Sequence, residues 1–113
     1  MNLDMVKYKW IYLFMLAAVI PGCSSSMDEQ KPTLQVVEIR GMQFVPDVVI
    51  ASIGDTIIFI NDDILVHDVT QDDKAWRSDS MVTGQSFQLI ATKNEGFYCS
   101  LHPTMKGQIL VEQ

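Results

Sequence analysis

From Thr33 onward, short apolar runs alternate with clusters of turn-forming residues, and no stretch sustains a helical period. β-branched and aromatic residues dominate the runs at 34–40, 48–51, 56–61, 66–70, 86–90, 96–99 and 107–111, and each reads as a strand. Gly54-Asp55, Asn61-Asp62-Asp63 and Asn94-Glu95-Gly96 supply turn chemistry between them. The run Ile57-Ile58-Phe59-Ile60 is apolar on both faces, which predicts a buried central strand. Ser86-Phe87-Gln88-Leu89 alternates cleanly and should cover one face only. Residues 71–83 are the least regular and leave open a turn of helix or a long loop. Short strands at this spacing predict an all-β chain folded as a Greek-key β-sandwich. No internal repeat is visible.

The N-terminal pattern differs. Lys7 and Lys9 precede an eleven-residue uncharged apolar stretch, residues 10–20. That stretch is too short for a hydrocarbon layer of about 30 Å and fits the apolar region of a signal peptide. Ile20-Pro21-Gly22-Cys23 then resembles a bacterial lipobox, in which Cys23 is lipidated and begins the mature chain. An uncleaved anchor and ordinary cleavage nearby are the alternatives. The expected organisation is a signal peptide over 1–22, a serine-rich flexible tether over 23–32 and one folded domain over 33–113.

The whole chain carries a net charge of −6. From Cys23 onward it keeps 6 of 8 Lys+Arg and 13 of 14 Asp+Glu, a net charge of −7. Nucleic-acid binding needs a basic surface and is excluded as an expectation. An acidic surface favours a basic protein partner. Asp62, Asp63, Asp68, Asp72 and Asp73 are candidates for such a docking patch, or for an ordinary solvated surface.

Chemistry concentrates in Cys99-Ser100-Leu101-His102-Pro103-Thr104-Met105. With Cys23 in the export signal, Cys99 has no intramolecular partner among the two cysteines of the chain. It is then a small buried hydrophobe, a reactive thiol or a metal ligand. The chain has only two histidines, His102 in this loop and His67 at the end of Ile64-Leu65-Val66. Taken singly, His67 reads as a core histidine, His102 as a loop residue and Met105 as core filler. Together, a thiolate, two imidazoles and a weak axial thioether form a soft trigonal site suited to one copper ion and electron transfer. Four filled positions leave no open place for a substrate, so an enzyme is not expected. Pro103 stiffens the loop, and Gly107 is expected to permit a sharp turn back into the sheet.

These motifs resemble cupredoxins of the plastocyanin and amicyanin group. The resemblance runs from about Val37 to Val111. It rests on Met42-Gln43-Phe44-Val45-Pro46, Gly54-Asp55-Thr56, Asn61-Asp62-Asp63 leading to His67, Gly84-Gln85-Ser86-Phe87, and Gly96-Phe97-Tyr98-Cys99 with His102, Pro103, Met105 and Gly107. The short spacing from Cys99 to His102 to Met105 is most similar to amicyanins. The resemblance implies a Greek-key β-sandwich with copper near one end and single-electron transfer without substrate turnover.

Two positions depart from the family pattern. Asp68 stands where these families commonly have an asparagine that ties the two ligand loops together by hydrogen bonds; here the carboxyl is ionised, protonated or turned to solvent. Leu101 stands where proline is common, and it keeps an N–H able to donate to the Cys99 sulfur, which would raise the reduction potential. The resulting expectation is a monomeric blue copper carrier. His102 exchanges electrons through an apolar collar of Met42, Leu101, Pro103 and Met81. The partner is a redox protein such as a c-type cytochrome or an oxidoreductase. A lipid anchor holds the carrier at the bacterial membrane, facing the periplasm or the cell exterior. A copper trafficking or sensing module would use the same ligands.

Overall fold

The computed structural model describes residues 19–23 and 29–112. Most of the expected signal peptide, residues 1–18, and Ser24-Ser25-Ser26 of the expected tether lie outside the described residues. Cys23 is exposed in a segment without secondary structure.

Eight strands build the domain: β1 (Leu34–Arg40), β2 (Gln43–Val45), β3 (Val48–Ser52), β4 (Thr56–Asn61), β5 (Thr70–Gln71), β6 (Ser86–Ile90), β7 (Glu95–Tyr98) and β8 (Lys106–Glu112). They form two four-stranded sheets, in the orders β2-β1-β4-β6 and β3-β8-β7-β5. The β1–β4 and β3–β8 pairs are parallel and the others antiparallel. The expected Greek-key β-sandwich is the fold.

The strand period decides what is buried. Side chains alternate between faces, so Val37 and Ile39 of β1 and Ile57 and Phe59 of β4 point into the core, each fully buried. Phe97 and Ile109 meet them from the other sheet, also fully buried. The Phe97 ring stands edge-on to Phe44 and Phe59, with centroids 4.9 Å and 5.1 Å away. Strand β4 lies between β1 and β6 as a central strand should, and its outer residues Ile58 and Ile60 are half-buried. Strand β6 alternates as expected, but its inward Phe87 and Leu89 are only half-buried because β6 is an edge strand.

Three expectations change. The run 66–70 is not a continuous strand; it narrows to the bridge His67↔Met81 and the two residues of β5. Residues 71–83 hold turns and the bridge Thr70↔Arg77, with no helix. Strand β2 was not legible, being three residues long. It pairs with β1 through the two-residue turn Gly41-Met42, whose φ values of 57° and 61° are the left-handed conformation that a tight hairpin favours.

Gly107 is also not a turn residue. It lies within β8, opposite Phe97. A Cβ there would stand 2.4 Å from Phe97 Cζ and 2.8 Å from the Asp47 carbonyl oxygen, so the position needs space rather than backbone freedom.

Asp55 closes the β3–β4 turn. Its carboxylate accepts from the Ser52 and Thr33 backbone N–H groups, each at 2.8 Å. The Thr33 hydrogen bond, then that of Ser52, holds the carboxyl below its ordinary range. A depressed folded pKa contributes stability that is fully present above the unfolded value of about 3.9 and is lost as pH falls through the folded value. Asp55→Asn should therefore lower the melting temperature at pH 7 and make the acid limb of stability shallower. Thermal melts of both proteins from neutral pH to pH 2 check this, and parallel acid limbs would count against it.

Candidate metal centre

The site lies at one end of the sandwich, where β4 and β7 release their chains into loops. Strand β4 ends at Asn61, which is fully buried and shapes the loop that follows. Its side-chain N–H groups donate to the Leu65 carbonyl at 2.9 Å and the Met81 carbonyl at 2.8 Å, and its oxygen accepts from the Asp63 N–H at 2.9 Å. His67 and Met81 then exchange backbone hydrogen bonds, His67 N–H to Met81 O at 3.1 Å and Met81 N–H to His67 O at 2.8 Å. The His67 side chain is fully buried.

Strand β7 delivers Cys99, also fully buried, just past Tyr98. The loop after it closes on itself. The Met105 N–H donates to the His102 carbonyl at 3.0 Å, and the Cys99 N–H donates to the Met105 carbonyl at 3.1 Å. Met105 is buried and His102 half-buried. All four residues singled out in the sequence are therefore brought to one place.

The ligand atoms of His67, Cys99 and His102 lie within 4.8 Å of one another. Nδ1 of His67 is 3.8 Å from the Cys99 sulfur, and Nδ1 of His102 is 3.9 Å from it. Those separations are long for a sound hydrogen bond. They match a shared ion. With metal–sulfur and metal–nitrogen bonds of about 2.3 Å and about 2.0 Å, a trigonal arrangement separates sulfur and nitrogen by about 3.7 Å. The donor set, soft sulfur with two imidazoles and a buried thioether, fits copper. His67, Cys99, His102 and Met105 are positioned as a type 1 copper site.

Two carboxylates expected on the surface belong instead to this site. Asp68 is fully buried and accepts from the Ser100 backbone N–H at 2.7 Å and from the Ser100 hydroxyl. It thus joins the His67 segment to the residue after Cys99, and of the three options open in the sequence, turning to solvent is ruled out. Thr70 Oγ1 donates to it at 3.3 Å, and the Arg77 guanidinium stands 3.8 Å away. Asp63 lies 3.0 Å from Nε2 of His67. The Met42 N–H, then the His67 ring, hold the Asp63 carboxyl below its ordinary range. Only Asp62, Asp72 and Asp73 of the five candidate docking residues remain on the surface. The sequence signal for Asp63 was its place four residues before a ligand histidine, on a turn that had to fold back.

The collar also changes. Met42 and Leu101 are exposed at 37% and 48%, and Pro103 is exposed, but Met81 is buried because its bridge to His67 turns it into the core. Ile64, Leu65 and Val66 join the exposed apolar residues on the loop leading to His67. Among the described residues the polar groups facing the Cys99 sulfur are Nδ1 of His67 and Nδ1 of His102, and the donation expected from the Leu101 N–H is not seen.

A two-sheet sandwich that closes His67, Cys99, His102 and Met105 at one end is a cupredoxin. Within that class, the chain is similar to amicyanins in sequence and in fold. No family model matches it. It is 28% identical over 86 residues to amicyanin of Paracoccus versutus, a match covering 68% of this chain and a little under two thirds, 64%, of that protein. A reduced Cu(I) form of an amicyanin variant superposes with a TM-score of 0.65 at 27% identity, covering 70% of this chain and 82% of that one. A purple cupredoxin from Nitrosopumilus maritimus shares the fold, with a TM-score of 0.65, 21% identity and coverage of 69% and 99%. A copper-containing nitrite reductase from Thermus scotoductus contains a similar domain, with a TM-score of 0.64 at 26% identity, but the match spans only 22% of that chain against 70% of this one.

Proposed function

We propose that this protein is a type 1 copper carrier of single electrons at the bacterial cell envelope. The observation that carries the reading is the convergence of the His67, Cys99 and His102 ligand atoms within 4.8 Å, with Met105 buried in the same loop. Copper held by His67, Cys99, His102 and Met105 would supply a one-electron couple. The chain supplies the rest. Asn61, Asp63 and Asp68 fix the loops before any metal arrives, so little reorganisation accompanies loading. Full burial of His67 and Cys99 keeps water from the inner side. His102 is the half-buried ligand and gives the shortest route to a partner docked on the collar of Met42, Leu101 and Pro103.

The carrier reading is favoured over an enzyme by the four filled ligand positions and by the small share of the nitrite reductase that resembles this chain. The proposed partner is a redox protein such as a c-type cytochrome or an oxidoreductase. Lipid on Cys23 would anchor the domain to the membrane, facing the periplasm or cell exterior, with residues 23–32 as the tether. The lipobox-like Ile20-Pro21-Gly22-Cys23 and the exposure of Cys23 support this.

Cu(II) titration of the purified metal-free protein tests the central claim. An intense blue band that saturates at one copper per chain, with narrow hyperfine splitting in electron paramagnetic resonance, is the expected result. A weak spectrum typical of ordinary Cu(II) sites would mean that Cys99 is not a ligand. Mass spectrometry of the protein from membranes tests the anchor, since lipidation adds its mass at Cys23.

A further inference from the structure

We propose that Asp63 is a positioning residue for the copper site. It holds His67 in the tautomer that leaves Nδ1 free for the metal, and it lowers the reduction potential. The inference rests on the copper reading above and extends it to a residue outside the ligand set.

The chemistry follows from the inventory of donors. A neutral imidazole carries one N–H and one lone pair, and an ionised carboxylate only accepts. Nε2 of His67 faces Asp63 Oδ2 at 3.0 Å, so Nε2 carries the hydrogen and donates. The lone pair is then on Nδ1, which faces the Cys99 sulfur at 3.8 Å. Without the carboxylate the buried ring is free to take either tautomer, and one of them points an N–H at the metal position.

Asp63 is itself held in place. Oδ2 accepts from the Met42 N–H at 3.1 Å and Oδ1 from the Ile64 N–H at 2.8 Å. Its backbone is tied at both ends, N–H to Asn61 Oδ1 at 2.9 Å and carbonyl to the Thr83 hydroxyl at 2.5 Å. The left-handed turn at Gly41-Met42 thus reaches the metal site through one carboxylate. The Asp63 side chain is only 11% exposed and His67 not at all, so solvent screens the pair weakly. A carboxylate on the outer nitrogen enriches the imidazole in electrons and raises its basicity as a ligand. Its negative charge also favours the more positive oxidation state. Both effects move the potential down.

Two measurements on the full chain test this. The first is the nitrogen-15 spectrum of His67 in the metal-free protein, which should report the Nε2–H form in the wild type and mixed tautomers in Asp63→Ala. The second is voltammetry of the copper-loaded protein. Asp63→Asn should raise the potential, and by more than Asp62→Asn, which removes the same charge from the exposed neighbour. An Nδ1–H form in the wild type overturns the proposal, and so do equal shifts in the two asparagine variants. The wild-type spectrum decides the tautomer even where a variant fails to fold. A wild-type protein without a blue band would instead defeat the copper reading, which separates the two failures.

Discussion

Cys99→Ser is expected to abolish the blue band entirely and to weaken copper binding by more than about 100-fold, since even changes outside the ligand set cost a metal site about 10–100-fold. The thiolate is the soft ligand that distinguishes copper here from a harder ion. Serine has a hydroxyl that stays protonated and offers hard oxygen in its place. The fold should survive. Cys99 is small and fully buried, and serine is close to it in size. Absorption during a Cu(II) titration and melts of the metal-free proteins separate the two effects. A variant that keeps its blue colour would show that another thiolate, which only Cys23 can offer, completes the site.

Phe97→Ala should cost about 3–5 kcal/mol, a large part of the roughly 5–15 kcal/mol that holds a domain together. Phe97 is fully buried, touches Phe44 and Phe59 edge-on and fills the space that Gly107 leaves open. Its loss leaves a cavity beneath β7 two residues before Cys99, so the copper spectrum should broaden in any folded fraction. The complementary change, Gly107→Ala, pushes a methyl group to 2.4 Å and 2.5 Å from two carbons of the Phe97 ring, and overpacking of this kind costs about 1–3 kcal/mol. The two positions should couple. Placed in a Phe97→Leu background, Gly107→Ala should cost clearly less than it does alone. Urea unfolding of the four proteins measures the cycle. Additive costs would mean that Asp47, whose carbonyl oxygen lies 2.8 Å from the same point, sets the limit at Gly107 instead.

The strands most legible in the sequence were those whose neighbours in sequence are also their context. The expected bounds of β1, β4 and β6 coincide with the observed ones because local alternation and flanking turns determine them. The 66–70 run misled for a physical reason. Its first residue Val66, like Ile64 and Leu65 just before it, is exposed on the loop leading to His67, not paired in a sheet. A pattern of hydrophobic residues cannot distinguish a buried strand from an exposed apolar loop. Met81 misled in the opposite sense, since a bridge to His67, distant in sequence, turned it inward.

The sequence by itself determined the class of fold and the donor types of the site. The strand period, the turn residues and the short spacing of Cys99, His102 and Met105 are local properties of the chain. Only the tertiary structure decided which atoms meet. Cys99 is 32 residues from His67 and Ser100 is 32 residues from Asp68, and both pairs form because β5 and β7 pair antiparallel, Thr70 opposite Tyr98, which lays the His67 segment beside Cys99. It also decided that Asp63 and Asp68 serve the site rather than the surface, and that Gly107 is required by the ring of Phe97. A carboxylate's partner and a glycine's neighbour are set by packing across sheets, and no local pattern records them.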